Sequence, residues 1–200
     1  MYNTYIIALV LTALMVACRE TAKEGGATES WQANAPELIW KYEGLGRGYG
    51  GPLIADDGIY VNAEEDGKSY TVCLDHKGSF RWRSPNGKAF MGMDFSASYP
   101  GTRSIPAVQG AFVYAISGLG HISCFKRQSG EVIWSVDLVK NFQGKPGDFG
   151  YSESPVMDGK NMYCFTGGSV HNIVALDLHT GELSWSSPVK RDSFAYSTPI

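Results

Sequence analysis

The four cysteines of this sequence, Cys18, Cys73, Cys124 and Cys164, form neither a Cys-x-x-Cys nor an adjacent pair. No paired-cysteine redox or metal motif and no vicinal disulfide is therefore available. Charge is scarce as well: charged residues make up 18% of the chain and the net charge is -3. That balance excludes the basic surface of a nucleic-acid binder. The main apolar run, Tyr5 to Ala17, has 13 residues, short of the roughly 20 that a membrane-spanning helix requires. No nucleophile–base pair, metal-ligand cluster or phosphate-binding loop stands out. The histidines are scattered, with His76 and His179 in turns and His121 and His171 near strands.

Glycine, aromatic residues and a repeat are what the chain has instead. There are 24 glycines and 12% aromatics, a composition suited to a turn-rich, all-β domain. Trp82, Trp134 and Trp185 close three similar stretches, spaced 52 and 51 residues apart. Each stretch holds four short runs rich in β-branched and aromatic residues, bounded by Gly, Asp or Asn, here labelled strands A to D. The second copy reads Ile105 to Val108, Ala111 to Tyr114, His121 to Phe125 and Gly130 to Trp134. A period of about 50 residues with four strands per period signals a β-propeller, because one blade cannot bury both its faces alone. A fourth copy opens at Tyr196. The expectation is an incomplete propeller with about three four-stranded antiparallel blades, drawn from a ring of about seven or eight.

The punctuation of each copy has a physical reason. Pro52, Pro106, Pro155 and Pro199 open strand A, where a missing N–H loses no ladder bond. Gly78, Gly130 and Gly181 stand in the turn between strands C and D, where positive φ is expected. The tryptophans follow on the outer strand, where a large flat ring can cover a blade and pack against the next. Trp40, in Glu37 to Tyr42, matches the later tryptophans but has no strands A to C before it. Residues 37–42 are therefore expected to close the last blade of the ring from the opposite end of the chain. Cys73 and Cys124 fall at equivalent strand-C positions where the third copy has Ala175. They read as small buried hydrophobes, with a disulfide as the alternative.

The third copy, with Ala175-Leu176-Asp177, Thr180-Gly181 and Trp185, resembles the tryptophan-docking repeat of the pyrroloquinoline quinone (PQQ)-type propellers. The first copy keeps Asp75, Gly78 and Trp82. The second keeps Gly130 and Trp134, with Lys126 in place of the Asp and Ser129 in place of the Thr. The resemblance covers about residues 36–200. It implies the propeller fold and two functional classes. One is the non-catalytic binding module, as in outer-membrane assembly lipoproteins of the BamB type. The other is the quinoprotein dehydrogenase, which oxidises an alcohol or sugar with PQQ and calcium. The missing vicinal cysteines favour the first class, with no cofactor and no metal expected.

Tyr5 to Ala17 fits a signal-peptide core, and Leu14-Met15-Val16-Ala17-Cys18 resembles a bacterial lipobox. The expected organisation is a signal peptide over 1–17 and a polar tether over 18–35 behind a lipidated Cys18. The propeller follows over 36–200, with blades at about 51–85, 104–138 and 153–188 and a fourth beginning at 196–200. A plain secretory signal and an uncleaved anchor are the alternatives. The resemblance and the leader together imply the periplasmic face of a bacterial membrane, with anchoring in the outer membrane.

Two long connections, 86–104 and 139–153, lead into strand A. Tyr49, Arg103, Tyr151, Ser152, Glu153 and Tyr196 all lie within four residues of a strand-A proline. They are expected to ring one mouth of the central channel, and connections of this length are commonly functional. An arginine, a glutamate and several tyrosines around one opening suit a protein partner or a polar ligand. The alternative is an ion pair and aromatic packing that set the blade spacing.

Overall fold

The computed structural model of the protein describes residues 36–92, 94–188, 196 and 198. Cys18, the expected signal peptide and tether, and the fourth strand-A proline lie outside them. Three four-stranded antiparallel sheets follow one another within the compact unit from Trp40 onward. The first comprises β1 (Leu53–Ala55), β2 (Gly58–Glu65), β3 (Lys68–Leu74) and β4 (Phe80–Lys88). The second comprises β5 (Ala107–Gln109), β6 (Phe112–Ile116), β7 (His121–Lys126) and β8 (Val132–Asp137). The third comprises β9 (Val156–Asp158), β10 (Asn161–Phe165), β11 (His171–Asp177) and β12 (Leu183–Pro188). Strands pair in chain order within each sheet, the meander of a propeller blade. The innermost strands β1, β5 and β9 each start one residue after Pro52, Pro106 or Pro155, as a residue without an N–H favours.

The same cross-strand row recurs in every blade. Tyr60, Cys73 and Trp82 stand opposite one another across β2, β3 and β4. Tyr114, Cys124 and Trp134 do so in the second blade, and Tyr163, Ala175 and Trp185 in the third. Cys73, Cys124 and Cys164 are free and buried. A small residue in mid-row leaves room for the rings on either side, whose centroids lie 5.9 Å apart in Tyr60–Trp82 and 6.0 Å apart in Tyr114–Trp134. A register shift follows the row at the same place in all three blades, after Cys73, Cys124 and Ala175. A bulge there increases the local twist and re-aims the outer strand.

That re-aiming carries Trp82 and Trp134 onto the next blade. Trp82 Nε1 donates to Arg127 O at 3.0 Å and Trp134 Nε1 donates to Leu178 O at 3.0 Å. Gly130 and Gly181, each at φ +72°, lie beneath the indoles; a Cβ there would come within 2.6 Å of Trp82 and 2.7 Å of Trp134. Trp40 makes the same contact with the first blade: its Nε1 donates to His76 O at 3.0 Å above Gly78. Residues 36–46 themselves join no ladder; only Arg47 and Gly48 form isolated bridges, to Glu64 and Thr102.

The long connections contain more structure than expected. β4 runs on to Lys88, and a 3-10 helix occupies Asp94–Ser98. The second connection begins with α1 (Leu138–Phe142). Asp137 caps it by accepting from Val139 N at 3.0 Å and Lys140 N at 3.1 Å. An Asp directly before an apolar residue is an N-cap signal legible in the sequence.

Candidate functional site

The third residue before each strand-A proline is Tyr49, Arg103, Ser152 or Tyr196. These four, from four successive copies, line one open cup of about 570 Å³ together with Tyr99 and Phe149. The positions on either side turn the other way. Thr102 and Ser104 are fully buried, as is Tyr151, and Glu153 is 2% exposed. The cause is the period-two alternation of extended backbone. One side chain of each segment faces the cup, and in the second and third copies its two neighbours enter the seams of the fold.

The seam residues therefore have other work. Ser104 Oγ donates to Ile116 O and accepts from Asn62 Nδ2 at 3.0 Å, tying the second blade to the first. The Tyr151 hydroxyl donates to Thr166 O at 2.5 Å. Glu153 accepts from Phe165 N through both carboxylate oxygens, at 2.9 and 3.1 Å. Thus Tyr49, Arg103, Ser152 and Tyr196 are brought together, whereas Tyr151 and Glu153 do not line the cup. Tyr99 and Phe149 complete it from the two long connections, and no repeat position marks them in the sequence.

Arg103 organises the cup. Its Nη1 donates to Gly101 O at 2.8 Å and Phe149 O at 3.2 Å, and its Nη2 donates to Tyr99 O at 2.9 Å. The guanidinium carbon lies 4.9 Å from the ring centre of Tyr49 and 5.0 Å from that of Phe149, within cation–π range. Phe149 in turn meets Phe95 edge-on at 5.3 Å and Tyr196 at 5.8 Å. Ser152 Oγ is buried and has no hydrogen-bond partner among the described residues.

Two buried carboxyls stand near this region. Desolvation raises the Glu64 pKa to about 7, opposed by the charge of Arg103. Desolvation raises Glu153 to about 8, opposed by the Phe165 N–H. Burial lowers the pKa of His121. Among the described residues, no three His, Cys, Asp or Glu gather where they could hold a metal ion. No described helix is long and apolar enough to cross a membrane.

The sequence model of the outer membrane protein assembly factor BamB matches residues 67–198. No curated protein matches the chain. Among solved structures, BamB from Moraxella catarrhalis aligns at 22% identity and a TM-score of 0.50, over 76% of this chain and 40% of that one. The quinohemoprotein alcohol dehydrogenase from Comamonas testosteroni aligns at 21% identity and 0.57, over 76% of this chain and 23% of that one. A europium-containing methanol dehydrogenase aligns at 17% identity and 0.52, over 76% of this chain and 27% of that one. The chain spans less than half the length of each, and likeness at this level speaks for the fold.

Proposed function

The chain belongs to the family of the outer membrane protein assembly factor BamB, and from that membership we propose a non-catalytic binding module that docks a protein partner or polar ligand at the cup. The observation that carries this reading is the repeat position lining it. One residue from each of four copies converges on one opening, and rings, a hydroxyl and a guanidinium hold ligands rather than transform them. A guanidinium carries donors only and offers no lone pair to act as a base. The acidic candidate, Glu153, spends both oxygens on Phe165 N.

The module is exported and held on the periplasmic face of a bacterial membrane by lipid on Cys18, in the outer membrane. The leader sequence and the family support this placement. Palmitate labelling that disappears in Cys18→Ala is the expected result. A photo-crosslinking residue at Tyr49 or Tyr196 should trap a protein in intact cells far more than one at exposed Phe80 on the outer strand. Equal trapping at all three positions refutes docking at the cup.

The likeness to the alcohol dehydrogenase supports a second reading, a dehydrogenase using PQQ and calcium. The rings and Arg103 suit a flat polycarboxylate, but among the described residues no carboxylate or amide side chain lines the cup to share a calcium ion. The lining therefore does not fit the pair. Quinone absorbance retained after incubation with PQQ and Ca²⁺ would reverse this preference.

A further inference from the structure

Arg103 takes part in none of the ion pairs among the described residues. Three carbonyl oxygens, of Tyr99, Gly101 and Phe149, fix the plane of its guanidinium. A guanidinium has five N–H donors, so the Nε hydrogen and one Nη2 hydrogen are left over. Neither meets an acceptor among the described residues. The carboxyl that feels this charge, Glu64, is 3% exposed. Desolvation holds its pKa at about 7, so near neutral pH it offsets only part of the charge. Ser152 Oγ supplies a second unused donor in the same lining.

Around these donors the walls are flat and apolar. Tyr49, Tyr99 and Tyr196 keep 59%, 52% and 47% of their surface exposed, unusual for rings gathered on one face. Among the described residues no acidic side chain lines the cup, so a cationic ligand would meet an unmatched positive charge there. An anion with planar oxygens matches a fixed guanidinium fork. The cup is open to one side, so its occupant can continue into solvent as a polypeptide does.

Resting on the docking reading above, we propose that the cup recognises a carboxylate presented beside a flat apolar side chain of a partner protein. Arg103 and Ser152 take the carboxylate, and Tyr49, Tyr99, Phe149 and Tyr196 take the ring. The carboxylate is that of a chain end or of an Asp or Glu next to an aromatic residue; both offer the same chemistry.

The test uses the full chain, titrated by NMR and calorimetry with three probes: N-acetyl-phenylalanine, N-acetyl-aspartyl-phenylalaninamide and N-acetyl-phenylalaninamide. At least one of the two acids should bind about tenfold or more tightly than the neutral amide, shifting resonances of residues around the cup. Preference for the first identifies a chain end, and preference for the second an acidic side chain. Arg103→Gln should reduce the acids to the level of the amide, and Arg103→Lys should keep part of the preference. Ser152→Ala, which leaves the carbonyl anchors of Arg103 intact, should weaken the acids and leave the amide unchanged. If the amide binds as well as the acids, carboxylate recognition is wrong and docking at the cup stands. If none of the probes shifts residues of the cup, both fall.

Discussion

Glu153 stands two residues before a strand-opening proline, next to a residue that faces the open cup, yet it is almost fully buried. Its folded pKa of about 8 lies above the ordinary value of 4.5. Once unfolded, the group ionises near the ordinary value; folded, it keeps its proton until about pH 8. The folded state thus binds more protons across that window, and stability falls as pH rises through it. Glu64, raised to about 7, acts in the same sense. His121, lowered by burial, acts oppositely, losing stability as pH falls. The melting temperature of wild type should therefore decline from about pH 6.5 to about pH 8. Glu153→Gln, whose amide oxygen can still accept from Phe165 N, should flatten that decline by several degrees. Parallel curves for wild type and variant, measured by circular dichroism, would show that Glu153 ionises normally.

Each strand C–D turn is shaped by what lies over it. Gly130 needs φ +72° and carries the indole of Trp82, whereas Gly110, in the turn between β5 and β6, needs φ +57° and has nothing within 4 Å of where a Cβ would be. Gly110→Ala should therefore lose about 1 kcal/mol for the left-handed conformation alone. Gly130→Ala must also displace a ring that is packed and hydrogen-bonded, and should lose about 3 kcal/mol. Urea unfolding of the two variants side by side measures the difference. Equal losses would mean that Trp82 contributes little to holding the blades together.

Across the molecule, polar ties join neighbouring blades at several points. Arg127, in the C–D turn of the second blade, reaches Asp56 and Asp57 between β1 and β2 of the first, with Nε to Asp57 Oδ1 at 2.8 Å. Its side chain is 15% exposed, against 51% for Lys126, which pairs with Glu131 inside its own blade. Screening and side-chain entropy leave an exposed pair worth little, while a bridge less open to water keeps more of its attraction. A double-mutant cycle with Asp57→Asn and Arg127→Met should give a coupling of about 1–2 kcal/mol. The cycle for Lys126 and Glu131 should give about 0.5 kcal/mol or less. Equal couplings would refute the view that Arg127 staples two blades.

The sequence by itself determined the strands, their order within each blade and the fold class. These follow from period-two patterns, from prolines where a donor is dispensable and from glycines where φ is positive, and all of these are local. The equivalence of Cys73, Cys124 and Ala175 and the recurrence of the tryptophans were legible because the repeat is nearly regular. The sequence also put six residues, Tyr49, Arg103, Tyr151, Ser152, Glu153 and Tyr196, within four residues of a strand-A proline, without separating those that share a fixed step from those that do not. Only the tertiary structure decided which of them share one opening. Tyr151 and Glu153 lie one position to either side of Ser152, and the alternation of an extended segment turns them into the seams. Tyr99 and Phe149 enter the cup because long connections fold back over Arg103, a matter of distant carbonyls meeting one guanidinium. Proximity along a chain is set by sequence; the direction in which a side chain points is set by the partners that bury its neighbours.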